Sequence, residues 1–155
     1  MQIRGGESRP EIFGGIMKEL NINTGVTTYS INGKSETAFN PTDSNFVEGL
    51  FVAFNELDKK QETYREEISK LTDKREIFRV ARERDAEMRE ILDNALGAGT
   101  CNRVFGSMNT YAMADGLPVW VNLMLAIIDE IDTSFAAEQK KTNPRITKYT
   151  NKYKQ

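Results

Sequence analysis

The sequence predicts a mainly α protein with long amphipathic helices, a buried C-terminal helix and an N-terminal β-hairpin. Residues 45–96 contain no proline and one glycine, and their apolar residues recur at helical spacing with charged residues between them. A further run that starts at Val119 is apolar nearly all round for three turns, which is typical of a buried helix. The 155-residue chain accordingly divides into an N-terminal segment (1–40), a helical domain (41–141) and a basic C-terminal arm (142–155).

A β-hairpin is predicted over residues 26–39. Two β-prone runs flank Asn32 and Gly33, and both of these residues tolerate positive φ, so a two-residue type I′ turn is expected. Upstream, the spacing of five apolar residues favours a short helix over residues 10–20, although Gly14 and Gly15 oppose it. These five residues are Ile12, Phe13, Ile16, Met17 and Leu20.

The first long helix is expected to begin near Asn45, because residues 40–44 end the hairpin and supply N-cap candidates. After Leu71 the apolar phase slips. Either one continuous helix is overwound there, or Thr72 or Asp73 caps a second helix, with Asp73 and Glu76 as a capping pair. We favour a second helix that folds back on the first.

A row of apolar residues follows a three-four alternation along the first helix and is broken only where Gln61 takes an apolar position. Such a row must be covered by another chain, by a second copy or by the interior of the same molecule. We predict that five of its residues contact a protein partner. They are Leu50, Phe54, Leu57, Tyr64 and Ile68.

Two helices are expected in the second half of the helical domain. Thr100 is a candidate cap for a short helix that ends at Gly106, and Pro118 suits the first turn of the last helix. This last helix is predicted to be the central element of the core. Its apolar residues are Val119, Trp120, Leu123, Met124, Ile127, Ile128, Ile131 and Phe135.

The C-terminal arm is basic, since acidic residues end at Glu138 and Pro144 separates the arm from the last helix. Lysines can contact phosphates and tyrosines can stack on bases. An idle tail, a segment that folds onto a protein partner and a nucleic-acid contact all fit this composition. The candidate partner-binding residues are Lys148, Tyr149, Lys152 and Tyr153.

Nothing in the sequence points to catalysis. The chain has no histidine, which excludes Ser-His and Cys-His mechanisms and the commonest zinc sites, and its single cysteine, Cys101, has no partner for an internal disulfide. The glycine pairs do not form a phosphate loop, and Asp129, Glu130 and Asp132 diverge around a helix. We therefore expect a protein without enzymatic activity, cofactor or metal.

Net charge and the lengths of the apolar runs indicate where in the cell the protein is expected. The net charge of −2 gives no global attraction to nucleic acid or membrane. The longest apolar run, residues 117–128, is too short to cross a bilayer, and the first residues lack the apolar run of a signal peptide. A cytoplasmic protein is expected.

Four strings in the second half carry a resemblance to a known family. They are Ala-Arg-Glu-Arg-Asp at 81–85, Val-Phe-Gly at 104–106, Ala-Asp-Gly-Leu-Pro at 114–118 and Ala-Ile-Ile-Asp-Glu-Ile-Asp at 126–132. The chain resembles, over about residues 27–152, small and largely uncharacterised proteins of Firmicutes phages and prophages. Their genes lie among tail-morphogenesis genes, near those of the major tail protein and the tape measure.

The resemblance implies a non-enzymatic role in tail assembly, as a chaperone or scaffold that binds the tape-measure or tail-tube protein in the infected bacterium. It offers no catalytic residues to transfer, and residues 1–24 lie outside it. Two alternatives remain open at this point. The chain could be a nucleic-acid-associated phage protein that uses its basic arm, or a small inhibitor of a host protein.

Overall fold

A computed structural model describes residues 11–12, 15–141 and 143–153. Over these residues the chain forms five helices and three two-stranded antiparallel sheets, and the mainly α class is confirmed. In chain order the elements are β1 (Glu11–Ile12), β2 (Gly15–Ile16), β3 (Thr27–Ile31), β4 (Ser35–Phe39), α1 (Ser44–Ser69), α2 (Lys74–Leu96), α3 (Thr100–Phe105), β5 (Met113–Ala114), β6 (Leu117–Pro118), α4 (Val119–Lys140) and α5 (Arg145–Tyr153).

The predicted hairpin is present as β3 and β4. Asn32 and Gly33 have φ values of 54° and 69°, and the Lys34 amide donates to the Ile31 carbonyl at 2.9 Å. The strand register, however, pairs Ile31 with Ser35, so three residues connect the strands where two were predicted. Alternate residues of β4 are buried, as expected for a strand with one face on a core.

The slip in the apolar phase marks the end of one helix and the start of another, which confirms the favoured alternative. Asp43 caps α1 by accepting from the Asn45 amide at 3.0 Å, and Asp73 caps α2 by accepting from the Arg75 amide at 3.1 Å. Glu76 was predicted to complete a capping pair with Asp73, but its carboxylate accepts from Arg79. The α1–α2 pair is therefore a helical hairpin with a side-chain cap at the start of each helix.

Two expected helix starts are displaced by one residue. Gly99 is the N-cap of α3, and Thr100 is its first residue, whose hydroxyl donates to the Gly97 carbonyl at 2.7 Å. Pro118 precedes α4 as its N-cap. Between α3 and α4, Asp115 and Gly116 take positive φ and close a short hairpin of β5 and β6 that we did not predict.

The core forms where α4 packs against α1, α2 and β4. Its most deeply buried apolar side chains come from α1, α2, α3 and α4, as the sequence predicted for α4. Trp120 is 1% exposed and is the largest of them. The other apolar side chains that are essentially inaccessible are Leu50, Leu57, Met88, Leu92, Cys101 and Met124.

The predicted helix over residues 10–20 is wrong for the part of it that the structure describes. Residues 11–12 and 15–16 pair as two short strands, and residues 17–26 are irregular and exposed. An isolated helix of this length needs a packed apolar face, and glycine weakens it further. Phe13 and Gly14, on which the prediction also rested, lie outside the described residues.

The basic arm is not a plain tail. After α4 ends at Lys140, the Asn143 side chain accepts from the Arg145 amide at 3.0 Å at the start of α5. The side chain of Ile146, on this helix, is exposed. The arm therefore contains a short helix, α5, that we did not predict.

Candidate protein-binding groove

The predicted contact row on α1 lies mostly against the protein's own core. Leu50 and Leu57 are buried, and Phe54 packs edge-to-face on Trp120 with ring centres 5.6 Å apart. Tyr64 is half-buried and stacks on Tyr111 at 4.2 Å. The row therefore faces inward because α4 and the segment before it supply its cover.

This placement corrects the predicted site for two of its five residues. Leu50 and Leu57 are inaccessible to a partner in this fold, because their side chains are enclosed in the hydrophobic core. Phe54, Tyr64 and Ile68 keep part of their surface exposed, and a partner contact through them stays a prediction.

The candidate residues of the basic arm lie on α5. Lys148 and Lys152 are exposed, whereas the side chains of Tyr149 and Tyr153 lie outside the described part of the structure. A role of these four residues in partner binding stays a prediction.

A groove that we did not predict lies beside the row, between the N-terminal half of α1 and the C-terminal half of α4. We call it the α1–α4 groove, and it has a volume of about 330 Å³. Pro41 and Thr42 border it, and Asp132 and Gln139 add polar groups to its lining. Its apolar lining consists of Val47 and Phe51 from α1 and Ile131, Phe135 and Ala136 from α4.

Helical spacing explains why these apolar residues share one groove. Val47 and Phe51 are four residues apart on α1, and Ile131 and Phe135 are four apart on α4, so each pair lies on one side of its helix. Phe51 is 45% exposed and Phe135 is 48% exposed. Single exposed apolar residues are ordinary, but two half-exposed phenylalanines that line the same groove form an apolar surface that a partner can cover.

The groove was not predicted, because its two phenylalanines gave no joint signal in the sequence. Phe135 was expected to be buried on the last helix, and Phe51 was not singled out because it lies beside the main apolar row. The Val47–Phe51 spacing was a usable signal for a second apolar strip on α1. The sequence could not show that α4 covers the main row and leaves the second strip half open.

A polar cleft of about 650 Å³ lies on the other side of α4. Within it, the Tyr29 hydroxyl and the Ser134 hydroxyl both donate to Oε2 of Glu130, at 3.1 and 3.0 Å. Burial raises the pKa of the Tyr29 phenol, the Ser134 hydroxyl lowers it, and the Glu130 carboxylate raises it. Because both hydroxyls are committed to one carboxylate oxygen, we interpret this cluster as a link between β3 and α4.

Among the described residues, no three His, Cys, Asp or Glu side chains are grouped as metal ligands, and no helix is long and apolar enough to cross a membrane. Cys101 is fully buried, and its amide donates to Oδ1 of Asp93 at 2.9 Å. Burial, followed by the nearby Asp93 carboxylate, raises the pKa of the Cys101 thiol to about 12. The reactive thiolate is therefore scarce at neutral pH.

We expect Cys101 to react with a thiol reagent far more slowly in the native protein than in urea, because the thiol is both buried and protonated. The folded state retains the thiol proton above the ordinary thiol pKa of about 8.5, where the unfolded chain loses it. The contribution of Cys101 to the free energy of unfolding should therefore be constant below about pH 8.5 and should fall as the pH rises toward 12. Urea unfolding between pH 7 and 10 measures this slope, and Cys101→Ala should reduce it. Equal reaction rates in native and unfolded protein would contradict the burial of Cys101.

Comparison of the chain with protein-family models, with curated proteins and with solved structures gives no match.

Proposed function

We propose that this chain is a non-enzymatic bacteriophage assembly factor. In this proposal it acts as a tail-assembly chaperone or scaffold and holds an apolar helical segment of the tape-measure or tail-tube protein in the α1–α4 groove. The proposed partner follows from the resemblance to phage tail-morphogenesis proteins. The observation that carries the binding site is the pair of half-exposed phenylalanines, Phe51 and Phe135, in one groove between two helices.

A groove of this kind suits the apolar face of a helix. Helix-in-groove recognition uses apolar side chains at positions i, i+3 or i+4 and i+7, and aromatic residues on the receiving surface supply much of the contact. A tape measure is a long helical chain whose apolar strips would aggregate before the tail tube encloses them. Covering such a strip requires apolar contact and no chemistry, in keeping with the residues that line the groove.

The polar lining makes the proposal more specific. Asp132 is exposed beside Phe135, so a bound helix that carries a lysine or arginine next to its apolar strip would form an additional pair there. Surface pairs of this kind contribute little to affinity but favour one orientation of the bound segment.

Co-expression with the tape-measure and tail-tube proteins tests the proposal. We expect one of them to co-purify with the chain or to become more soluble. Phe51→Asp or Phe135→Asp should weaken that binding at least tenfold, as for an interface residue worth about 2 kcal/mol. Phe54→Asp is unsuitable as a test, because Phe54 packs on Trp120 and its loss would disturb the core.

The matched control is Phe78→Asp. Phe78 is a phenylalanine on α2 with 60% exposure, outside the α1–α4 groove, so its substitution should leave partner binding unchanged. If neither tail protein co-purifies or gains solubility, the chaperone proposal fails, and a pull-down from host lysate then tests the inhibitor alternative.

Nucleic-acid association through α5 is the second candidate. It is favoured by the exposed Arg145 and Lys148 on a helix in a stretch that contains no acidic residue after Glu138. Binding to phosphates would weaken steeply between 50 and 200 mM salt, roughly in proportion to the number of contacts. Binding that does not depend on salt, or that survives deletion of residues 142–155, would contradict this candidate.

A further inference from the structure

The N-terminal arm, which we define as residues 16–22, is an apolar segment without cover. Four of its seven residues are large and apolar, and all four side chains are exposed, Leu20 to 91%. They are Ile16, Met17, Leu20 and Ile22. A density of exposed apolar side chains this high is typical of a segment that packs against a surface in the assembled state.

Residues 23–25, which we call the root of the arm, are held in place by hydrogen bonds. The Asn40 side chain donates to the Thr24 carbonyl at 2.8 Å, and the Gly25 amide donates to Oδ1 of Asn23 at 2.9 Å. Gly25 has a φ of 74°, which favours glycine, and a Cβ there would lie 2.7 Å from the side-chain nitrogen of Asn40 and would displace it. The start of the arm is therefore fixed to the fold beside Asn40, and the four large apolar side chains of the arm are exposed.

The root of the arm lies beside the α1–α4 groove. Asn40 holds the root, and the next two residues, Pro41 and Thr42, border both the polar cleft at the root and the groove itself. The arm nevertheless leaves the groove of its own chain open, because Leu20 is 91% exposed and the groove residues Phe51 and Phe135 remain half-exposed. The groove of a second copy is therefore the surface that we consider for the arm.

The length of the arm also suits the length of the groove. Seven extended residues span roughly 23 Å, whereas the groove follows α4 from Ile131 to Gln139, which is roughly 12 Å of helix. The arm can thus cover the groove with residues to spare.

We propose that the protein forms a dimer in which the N-terminal arm of each copy lies in the α1–α4 groove of the other. The exchange buries both arms and both grooves at once, and its two contacts are identical, as closed two-fold symmetry requires. The inference uses the groove but does not depend on a phage partner. A tail protein that binds the groove would displace the arm, and the dimer would then be the resting state.

Analytical ultracentrifugation of the pure protein tests the dimer. We expect a concentration-dependent monomer–dimer equilibrium whose dissociation constant rises at least tenfold in Leu20→Asp and in Phe135→Asp. Phe78→Asp is the control and should leave the equilibrium unchanged, because Phe78 is exposed on α2 away from the arm and the groove. Because the Leu20 side chain is almost fully exposed, Leu20→Asp should retain the circular dichroism of the folded chain.

Disulfide trapping then identifies which copy supplies the arm. Chains with Leu20→Cys are mixed with chains with Phe135→Cys under mild oxidation, and a covalent dimer of the two kinds is expected. The buried Cys101 thiol should not interfere. A doubly substituted chain that closes its own disulfide and remains monomeric would show the arm in its own groove and overturn the proposal. A strict monomer at several hundred micromolar, or a dimer that Leu20→Asp leaves intact, would overturn it as well.

These outcomes are separate from those of the proposed function. A dimer that depends on Leu20 and Phe135 but does not bind a tail protein would retain the arm exchange and reject the chaperone. Co-purification of a tail protein with a strict monomer would reject the arm exchange alone.

Discussion

Trp120→Ala is expected to lower the free energy of unfolding by about 3–5 kcal/mol, the range for removing a large buried aromatic side chain. The Trp120 ring is 1% exposed, and it packs edge-to-face on Phe54. Its Nε1 donates to Oε1 of Gln61 at 2.8 Å. The substitution therefore creates a cavity between α1 and α4 and also removes the hydrogen-bond partner of the Gln61 amide. Urea denaturation followed by circular dichroism measures the loss.

Two control variants separate packing from hydrogen bonding. Trp120→Phe keeps most of the ring but loses the N–H group, so it should cost less, about 1–3 kcal/mol for the unpaired Gln61 oxygen and the smaller ring. Phe78→Ala removes an exposed ring and should change stability little. An unchanged unfolding midpoint for Trp120→Ala would mean that α4 does not pack on α1 as described.

The second-largest effect is expected for Arg89→Ala. The Arg89 guanidinium pairs with Asp85 at 3.0 Å and donates to Oδ1 of Asn102 and to the carbonyls of Gly106 and Met108. The other Asp85 oxygen accepts from the amide and the hydroxyl of Thr110, both at 2.7 Å. The Arg89 side chain thus connects α2 to α3 and to the segment that follows α3.

We expect Arg89→Ala to cost about 3 kcal/mol, the lower end for breaking a buried ion pair. The lower end applies because the two side chains remain 16% and 17% exposed. Arg79→Ala is the matched control. Arg79 also pairs with two carboxylates along α2, but its side chain is 46% exposed, so its loss should barely move the melting temperature. Equal effects of the two substitutions would show that the Arg89 contacts stabilise the fold no more than the exposed ion pairs of Arg79 do.

The helices and the main hairpin were predictable because their signals are local. Apolar spacing along α1 and α2 reports the helical period, Asp73 marks a helix start, and Asn32–Gly33 marks a turn. Even the polar interruption at Gln61 has a structural cause, because its side chain accepts from the Trp120 indole. That cause was invisible in the sequence, since 59 residues separate the partners.

The candidate site was less predictable because exposure is a tertiary property. Periodicity showed that one side of α1 is apolar, but it could not show that Leu50 and Leu57 are buried while Phe51 stays half-exposed. The Arg89 contacts are likewise made to a loop whose position no local pattern specifies. The β5–β6 hairpin did carry a signal, Asp115–Gly116, but strands of two residues are too short for alternation to appear.

The late position of α4 in the chain has a consequence for synthesis on the ribosome. The apolar row of α1 is complete at residue 69, whereas α4, which covers it, ends at residue 140. At about 5–20 residues per second, the interval between these two points is roughly 4–14 s. Throughout this time the nascent chain presents Leu50 and Leu57 without their final cover, and neighbouring chains on one polysome present the same row to each other. Translation speed between codons 70 and 140 therefore sets how long each copy is open to aggregation before it can fold.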